Sequence, residues 1–541
     1  MSERREAGVP PSSERGPSGP APEAPRAGNV SERREAGVPP SSERGPSGER
    51  GETMLVVEGE LVEPVTAGGV AARAGARIRA RQSYRWWVLV TVLSGLFATG
   101  LTITVLTTAV PFIQDDLGAS LGAITWVVSA PFLVRSIFVP AFGKAGDLIG
   151  RRRTWLLGFG TSTVAALLCG FAPNVGMLIL FRAISAAAGA AVIPSSLALI
   201  AAAFEPDERV KALGWWSATI AISPLLGVIT GGFVVEGLGW RWLFFAQFPF
   251  GVIALLLGVV VLRESKGDVT ERFDVWGCVL SIFGFGSLLL VFNRGPVGSW
   301  DWGSSRMVGL SAIAVALLVA FVVHELRVAA PILPVRYFGR RKFAGAVGAN
   351  FTANFAYMGG FFVTSLLLAD AALFGYRADQ VALGVSPRAA SLGLMGPIGG
   401  YMAARYGGRR MATLGMVLIV ASMLALAAID GDSSYPMLLP GLVLSGFGLG
   451  LVVPPSAATV TNEADPNDLA AASGALNMGA SMGASLGIAT MQAVLAGFAV
   501  TAAAPGAGAY SAAFLFGAGM SAVGLLAALN LPTRPVRRRT S

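Results

Sequence analysis

Three arginines lie inside long apolar segments of this 541-residue chain: Arg135, Arg182 and Arg388. Each is about 7–12 residues from a segment end, which at 1.5 Å per residue places it on the order of 10–18 Å deep. An intramembrane arginine costs at least about 2.5–3.5 kcal/mol, so it normally faces a cavity or a partner. One option is that Arg135 and Arg182 meet an anionic or polyketide-like small molecule with acidic or phenolic groups; the other is that any proton coupling runs through Asp370 or through that molecule's own protonation. For all three, hydrogen bonding to helix carbonyls for packing alone is the alternative.

Acidic side chains are scarce in the same segments, and none lies in the middle of one. A proton-coupled carrier needs a titratable group near the bilayer centre, where burial raises the pKa of a carboxylate toward working pH. Asp370, at the outer end of an apolar segment, is the nearest candidate, and a solvated helix end is the alternative. Asn350 and Asn354, one turn apart, face the cavity or pack between helices. His324 lies at a segment end, which argues against a histidine relay in the membrane centre.

Long apolar helices must position these residues. The chain is 53% hydrophobic and 13% charged, whereas a soluble domain has roughly 25% charged residues. A helix crosses the roughly 30 Å hydrocarbon layer in about 20 residues. Fourteen segments fit this requirement, so the sequence predicts an all-α polytopic membrane protein. The segments are 86–110, 124–142, 154–172, 175–203, 213–235, 244–262, 275–293, 307–324, 343–368, 380–404, 411–429, 437–460, 470–498 and 508–531.

Basic residues accumulate in every second loop between these segments. With the N-terminus in the cytoplasm, about 26 Lys and Arg fall on cytoplasmic flanks and loops and about 4 on outer loops, which is the positive-inside bias. An even number of spans then places both termini in the cytoplasm, and we expect a multi-pass protein of the plasma membrane. The basic patches at 151–153, 340–342 and 537–539 are predicted to contact lipid headgroups rather than nucleic acid.

The two terminal segments differ from the rest in composition. Residues 1–80 are rich in Pro, Gly, Ser, Glu and Arg and are predicted to form a disordered cytoplasmic tail, and residues 532–541 form a short basic one. SERREAGVPPSSERGPSG occurs twice, at 2–19 and 31–48. This duplication ends just before Met54, which gives the hypothesis that Met54 is the native start. From the composition of residues 1–80 we expect no secretory signal peptide before the first span.

A second repeat links two of the predicted cytoplasmic loops. GKAGDLIGRRR starts at Gly143, and GYMAARYGGRR starts 257 residues later, at Gly400. Each loop follows the second helix of a six-helix block. The pattern predicts two related six-helix bundles, 86–262 and 343–531, with two inserted helices at 275–324; transporters built from such halves bind cargo near the midplane. The coincident pairs are Gly143/Gly400, Gly150/Gly407, Arg152/Arg409 and Arg153/Arg410.

With these loops the chain resembles the major facilitator superfamily, specifically its fourteen-span drug:proton antiporter branch, over about residues 85–531. GKAGDLIGRRR is similar to the superfamily's motif between spans two and three. RAISAAAGAAVIPSS, from Arg182, is similar to its span-four motif, and GWRWLFFAQFPFG, at 239–251, to a branch segment between spans five and six. The resemblance implies a major facilitator fold and a cytoplasmic latch that forms in one state and breaks in the other. The latch residues are Gly143, Asp147, Gly150, Arg151 and Arg152, with Gly400, Gly407 and Arg409 in the second loop.

Two further segments bear on the mechanism that the resemblance implies. SPLLGVITGG in span five matches the branch's antiporter motif at Gly227, Gly231 and Gly232. Small residues four apart let helices pack closely, so packing alone also explains them. LTITVLTTAVP in span one has Thr102 where the branch has an aspartate, which removes the expected coupling acid.

The resemblance implies a secondary active transporter that exports drugs or secondary metabolites by alternating access, coupled to inward proton flow. Its partners would be a small-molecule substrate, protons and membrane lipids, and we expect a monomer. An uncoupled or anion-selective transporter of the same fold and a non-transporting membrane sensor or scaffold are the alternatives. The sequence holds no phosphate-binding Gly-Lys loop, nucleophile constellation or metal cluster, which predicts no enzyme, cofactor or metal. Cys169 and Cys278 fit small core residues.

Overall fold

The computed structural model describes residues 83–265, 274–294, 300, 303–328, 331–430, 432–465, 469–498 and 506–533. Within these ranges the chain forms fifteen α-helices, one short 3-10 helix and no strand, so the predicted all-α class is confirmed. The predicted tail at 1–80, the hypothesis about Met54, the end of the chain from residue 534, and the side chains of Thr102 and Asp147 lie outside the described residues.

All but two of the fifteen described α-helices have 20 residues or more, the length that crosses a bilayer. In chain order they are α1 Tyr84–Leu117, α2 Leu121–Ile149, α3 Arg151–Gly170, α4 Val175–Gly189, α5 Val192–Ala203, α6 Pro206–Leu238, α7 Trp242–Val261, α8 Val275–Arg294, α9 Ser305–Arg327, the 3-10 helix Val335–Gly339, α10 Arg341–Ala369, α11 Ala378–Tyr406, α12 Gly408–Ala427, α13 Tyr435–Glu463, α14 Leu469–Gly497 and α15 Ala507–Ala528.

Eleven helical segments of the described chain are long and apolar enough to cross a membrane, with α4 and α5 together forming one of them. The polytopic membrane class is therefore confirmed. The other three helices are more polar. α3 begins with three arginines, α6 with the charged sequence PDERVK, and α11 contains Arg388 and two prolines. The full number of fourteen spans stays a prediction.

The fourth membrane pass is broken by a turn at 190–191, between α4 and α5. Pro194 has no N–H to donate to the carbonyl of Ala190, and its ring crowds that carbonyl, so one bond of the helical ladder is missing at this turn. The N–H of Ala191 instead bonds three residues back, to the carbonyl of Ala188 at 3.2 Å. By contrast α13 is one continuous helix although three prolines lie inside it.

The same pairs of helices pack together early and late in the chain. α1 packs on α6 and α7, α3 on α4 and α7, and α2 on α4; correspondingly, α10 packs on α14 and α15, α12 on α13 and α15, and α11 on α13. The main contacts between the two sets are α2 with α14 and α6 with α11, while α8 packs chiefly on α9. This repeated pairing supports our proposal of two related bundles with an inserted pair of helices.

Glycines of α6 let that helix touch its neighbours backbone to backbone. A methyl group on Gly227 would overlap the carbonyl oxygen of Leu101 in α1. A methyl group on Gly232 would overlap the side chain of Ala382 in α11, across the contact between the two sets of helices. Gly231 is buried as well. Two of the three predicted packing glycines thus lie where a side chain has no room.

Candidate functional site

A small cavity lies among α1, α2, α3, α4 and α7. Its free volume of about 50 Å³ has room for water, whereas ligand pockets typically have about 300–1,000 Å³. In this conformation the cavity therefore does not enclose a drug-sized molecule. The side chains that line it include Thr99, Phe132, Arg135, Ser162, Arg182, Ser185 and Gln247.

The cavity brings together two of the predicted arginines, Arg135 from α2 and Arg182 from α4. Arg182 is 8% exposed, and its Nε lies 3.5 Å from the carbonyl oxygen of Val127, at the long limit of a hydrogen bond. No Asp or Glu of the described residues lines the cavity. The two guanidinium groups therefore have no carboxylate partner there, and a carboxylate or phenolate of a ligand would supply one.

Gln247 is a cavity residue that sequence reasoning did not select. Its Nε2 donates to the carbonyl oxygen of Ala98 at 2.8 Å, while its Oε1 is buried without a donor among the described residues. Nearby, the hydroxyl groups of Ser162 and Ser185 lie 3.1 Å apart. A glutamine in the otherwise apolar helix α7 was the sequence signal that pointed to this position.

Arg388 does not join this cavity, because it lies on α11 against α10. Its side chain is fully buried. One Nη donates to the carbonyl oxygen of Ala356 at 3.3 Å, and the guanidinium group lies 4.7 Å from the ring centre of Tyr357. Its Nε and other Nη have no partner among the described residues. The structure thus places the third predicted arginine in packed protein.

Two of the other predicted cavity residues, Asp370 and Asn350, take part in contacts between helices, and the third, Asn354, bonds within α10. Asp370 follows α10, and its carboxylate accepts hydrogen bonds from the Tyr510 hydroxyl at 3.0 Å and the Ala372 N–H at 3.0 Å. Asn350 is 2% exposed and donates to the Leu476 carbonyl at 3.2 Å. The amide of Asn354 donates to Asn350, at 2.8 Å to its carbonyl oxygen. A coupling or binding role for these three residues stays a prediction.

The two predicted latch loops have the same backbone geometry. Gly150 and Gly407 have φ angles of 111° and 94°, which L-residues with side chains rarely adopt. The N–H of Arg151 donates to the carbonyl oxygen of Ser265 at 2.9 Å, and the N–H of Arg409 donates to that of Pro532 at 3.0 Å. Both acceptors lie just beyond the last helix of their set. The loops that coincide in sequence therefore coincide in structure.

The glycines at the start of the loops also match. A methyl group on Gly143 would contact Pro194 at 3.6 Å, and one on Gly400 would contact Pro454 at 3.7 Å. These prolines belong to the fourth membrane pass of each set, in α5 and α13. Each second helix thus approaches the corresponding proline-containing helix at ordinary van der Waals distance.

Glu264 belongs to the first latch, although sequence reasoning did not identify it. Its carboxylate accepts the N–H of Arg152 at 3.1 Å and the N–H of Arg153 at 3.2 Å, at the N-terminus of α3. It also lies 3.6 Å from the Arg153 guanidinium. Free N–H groups and the helix dipole both favour a carboxylate at this position. Arg152 reaches the carbonyl of Val259 at 2.9 Å, so the loop is fixed to α7.

An ion pair joins the two sets of helices at the end of the molecule where α6 ends and α11 begins. The Arg377 Nε lies 3.0 Å from a Glu236 oxygen and 3.6 Å from Asp379. The other Glu236 oxygen accepts the N–H of Ala378, the first residue of α11, at 3.3 Å. This carboxylate from α6 therefore occupies the N-terminus of α11.

Comparison with known proteins gives a consistent result. The family model described as Major Facilitator Superfamily matches residues 92–349 and 349–541. The tetracenomycin C resistance and export protein of Streptomyces glaucescens is 29% identical over 79% of this chain and 78% of its own length. The multidrug resistance protein Stp of Mycobacterium tuberculosis (strain CDC 1551 / Oshkosh) is 31% identical over 74% of each chain.

Among solved structures, a bacterial homolog of the human lysosomal transporter Spinster, in an inward-facing and unoccupied conformation, is similar with a TM-score of 0.58. It is 15% identical, covering 84% of this chain and 98% of its own, and supports the fold alone. A structure of the nucleoside transporter NupG has a TM-score of 0.54. The helical fold, the paired loops and these matches agree with the family predicted from the sequence, and the chain belongs to the Major Facilitator Superfamily.

Proposed function

We propose that this protein is a secondary active transporter that exports small organic molecules, such as antibiotics or secondary metabolites, by alternating access and in exchange for protons. The names of its relatives support export, since two of them are resistance or export proteins. The repeated helix pairing supports two bundles, 86–262 and 343–531, that rock against each other about a midplane site.

The observation that carries the proposal is the cavity that contains Arg135 and Arg182. An uncompensated guanidinium group in a membrane is costly, so its retention is best explained by a ligand that pairs with it. We propose that the cargo carries a carboxylate or an acidic phenol. Gln247 contributes an amide oxygen that lacks a donor, which suits a hydroxyl or N–H group on the same ligand.

The distribution of basic residues supports a position in the plasma membrane with both termini in the cytoplasm. In that orientation the Glu236–Arg377 contact lies at the outer face and the two latch loops lie at the cytoplasmic face. A monomer is the expected unit, because each chain holds both sets of helices.

Uptake into everted membrane vesicles with an acidic lumen tests the proposal. We expect a fluorescent carboxylate dye to accumulate and a protonophore to stop its accumulation. Arg182→Met is expected to lower uptake of the anionic dye about 10- to 100-fold, because a hydrogen bond to a charged group contributes about 1.5–3 kcal/mol. Arg306→Met, at the exposed start of α9 and outside both latch loops, is the matched control and is expected to retain uptake.

The same assay separates the alternatives. An uncoupled or anion-selective transporter would keep its uptake rate after the gradient collapses, and the lack of an acid lining the cavity favours this second candidate. A sensor or scaffold would bind the dye without accumulating it. Equal uptake by wild type and Arg182→Met would reject the anionic cargo while leaving export itself in place.

A further inference from the structure

The cytoplasmic end of the α8–α9 pair contains the two buried carboxylates of the described chain. Asp274 is 6% exposed and Glu325 is 1% exposed, and no other Asp or Glu of the described residues is buried to this degree. Asp274 lies immediately before α8, and Glu325 lies in the last turn of α9. Two acidic groups that are 51 residues apart in sequence therefore meet in one protein-enclosed position.

Each carboxylate has one oxygen with a partner. Asp274 Oδ1 accepts the N–H of Gly277 at 2.8 Å and lies 2.8 Å from Nε2 of His324. Glu325 Oε2 accepts the N–H of Leu333 at 3.1 Å. These bonds fix the direction of both side chains.

The two remaining oxygens, Asp274 Oδ2 and Glu325 Oε1, are buried and have no donor among the described residues. Both face the same narrow space beside Gly277. A methyl group built on that glycine would overlap the Asp274 oxygen and come within 2.8 Å of the Glu325 oxygen. The unpartnered oxygens thus converge on a space that is too small for a methyl group.

Two ionised carboxylates whose buried oxygens both lie within 2.8 Å of one point would repel each other, and each would leave a charged oxygen unsatisfied. A single proton removes both costs, because it neutralises one group and donates a hydrogen bond to the other. We propose that Asp274 and Glu325 form a proton-binding site that holds one shared proton between Asp274 Oδ2 and Glu325 Oε1.

The groups around the pair are few. His324 of α9 bonds to Asp274 on the side opposite the shared space, through the Oδ1 oxygen. Cys278 of α8 is buried one turn from Asp274. Arg336 of the 3-10 helix donates to the carbonyl oxygen of Leu326 at 3.4 Å and to neither carboxylate. The nearest part of α2 is Ala141, which contacts Cys278 and Ile332. Lys144 lies three residues after Ala141 on the same helix.

The position of the site gives the proton a structural consequence. Ala141 of α2 forms a buried apolar cluster with Cys278 and Ile332, so this end of the α8–α9 pair rests on the end of α2. Gly143, the first residue of the latch loop, follows two residues later. Loss of the shared proton at high cytoplasmic pH would place two negative charges beside the Ala141–Cys278 contact. The packing of α8 and α9 on α2 would then be weaker.

Infrared spectroscopy of the purified full-length protein in lipid nanodiscs tests the assignment directly. We expect a protonated-carboxyl stretching band at about pH 7, far above the ordinary pKa of about 4 for Asp and Glu. The band should shift in D2O and disappear in both Asp274→Asn and Glu325→Gln. Glu463→Gln, which removes a carboxylate paired with Lys342 at 3.1 Å, is the matched control and should keep the band.

Three outcomes would overturn the assignment. The first is a wild-type protein without the band at about pH 7, a result that depends on no variant. The second is a band that persists in both variants. The third is a band that falls when Na⁺ replaces K⁺ at constant pH, because that would assign the space to a metal cation. None of these outcomes bears on the cargo or direction of transport, so the proposed export function is tested separately.

Discussion

Arg388 is the most completely buried basic residue in the described part of the chain, and it makes one hydrogen bond and one ring contact. Replacing a buried charged group by an apolar one of similar size is often neutral or stabilising by about 1–4 kcal/mol. We therefore expect Arg388→Met to preserve or raise the thermal unfolding temperature of the detergent-solubilised protein. Arg405→Met, in an exposed position, gives the baseline; a clear drop specific to Arg388→Met would show that its contacts outweigh desolvation.

Asp116 is half exposed at the end of α1 and accepts hydrogen bonds from Trp240, at 3.0 Å, and Arg241, at 2.5 Å. These bonds lower its pKa. A carboxylate with a lowered pKa in the folded state stabilises the protein above its unfolded pKa of about 3.9, and this contribution is lost as the pH falls through the folded value. Asp116→Asn should therefore lower the unfolding temperature more at about pH 7 than at about pH 3. An equal loss at both pH values would contradict this cause.

At the scale of the helix, the close contact between α6 and α1 depends on a missing side chain. Gly227→Ala would drive a methyl group into the Leu101 carbonyl, and overpacking of this kind costs typically 1–3 kcal/mol. We expect a lower unfolding temperature and less folded protein in fluorescence-detected gel filtration. Gly393→Ala places its new methyl group in open space. It should raise the unfolding temperature, because alanine is the better helix former by about 1 kcal/mol. Equal behaviour of the two variants would refute the packing argument.

The contact between α6 and α11 is the second feature at this scale. Glu236→Gln removes one partner of an exposed ion pair, which is worth about 0.2–1 kcal/mol. Because the pair joins the two sets of helices, its loss should shift the equilibrium toward opening at that end by roughly 1.5- to 5-fold. Thiol labelling of an introduced Ala382→Cys measures the shift. Arg241→Ala breaks an ion pair between α1 and the start of α7 and should leave the labelling rate unchanged.

For the whole molecule, alternating access requires that the α2–α14 contact change during each cycle. The hydroxyl group of Ser485 in α14 donates to the Ser129 carbonyl oxygen in α2 at 2.9 Å. A short bifunctional thiol reagent applied to Ser129→Cys with Ser485→Cys should stop transport, whereas either single variant treated alike should continue. The native Cys169 and Cys278 are buried, so background reaction is expected to be low. Full transport by the cross-linked protein would exclude rocking at this contact.

Hydropathy and spacing predicted the helical class, most helix positions and the two matching loops, because these properties are local in sequence. They also placed Arg135 and Arg182 at depths where the structure has a cavity. The partners of Arg388, the role of Glu264 and the meeting of Asp274 with Glu325 were not predicted. Each depends on residues that only tertiary packing brings together, from 32 positions apart for Arg388 and Ala356 to 112 for Arg152 and Glu264.

The turn at 190–191 is expected to make the first half more flexible than the second. In the first half, the membrane pass that contains Arg182 is interrupted by this turn, and Gly189 beside the turn lines the cavity. In the second half, the corresponding pass, α13, is a single rod. Bending at this turn would change the shape of the cavity around Arg182 without displacing the cytoplasmic end of the same membrane pass. We expect cargo release to combine this local bending of the first half with the rocking of the two halves against each other.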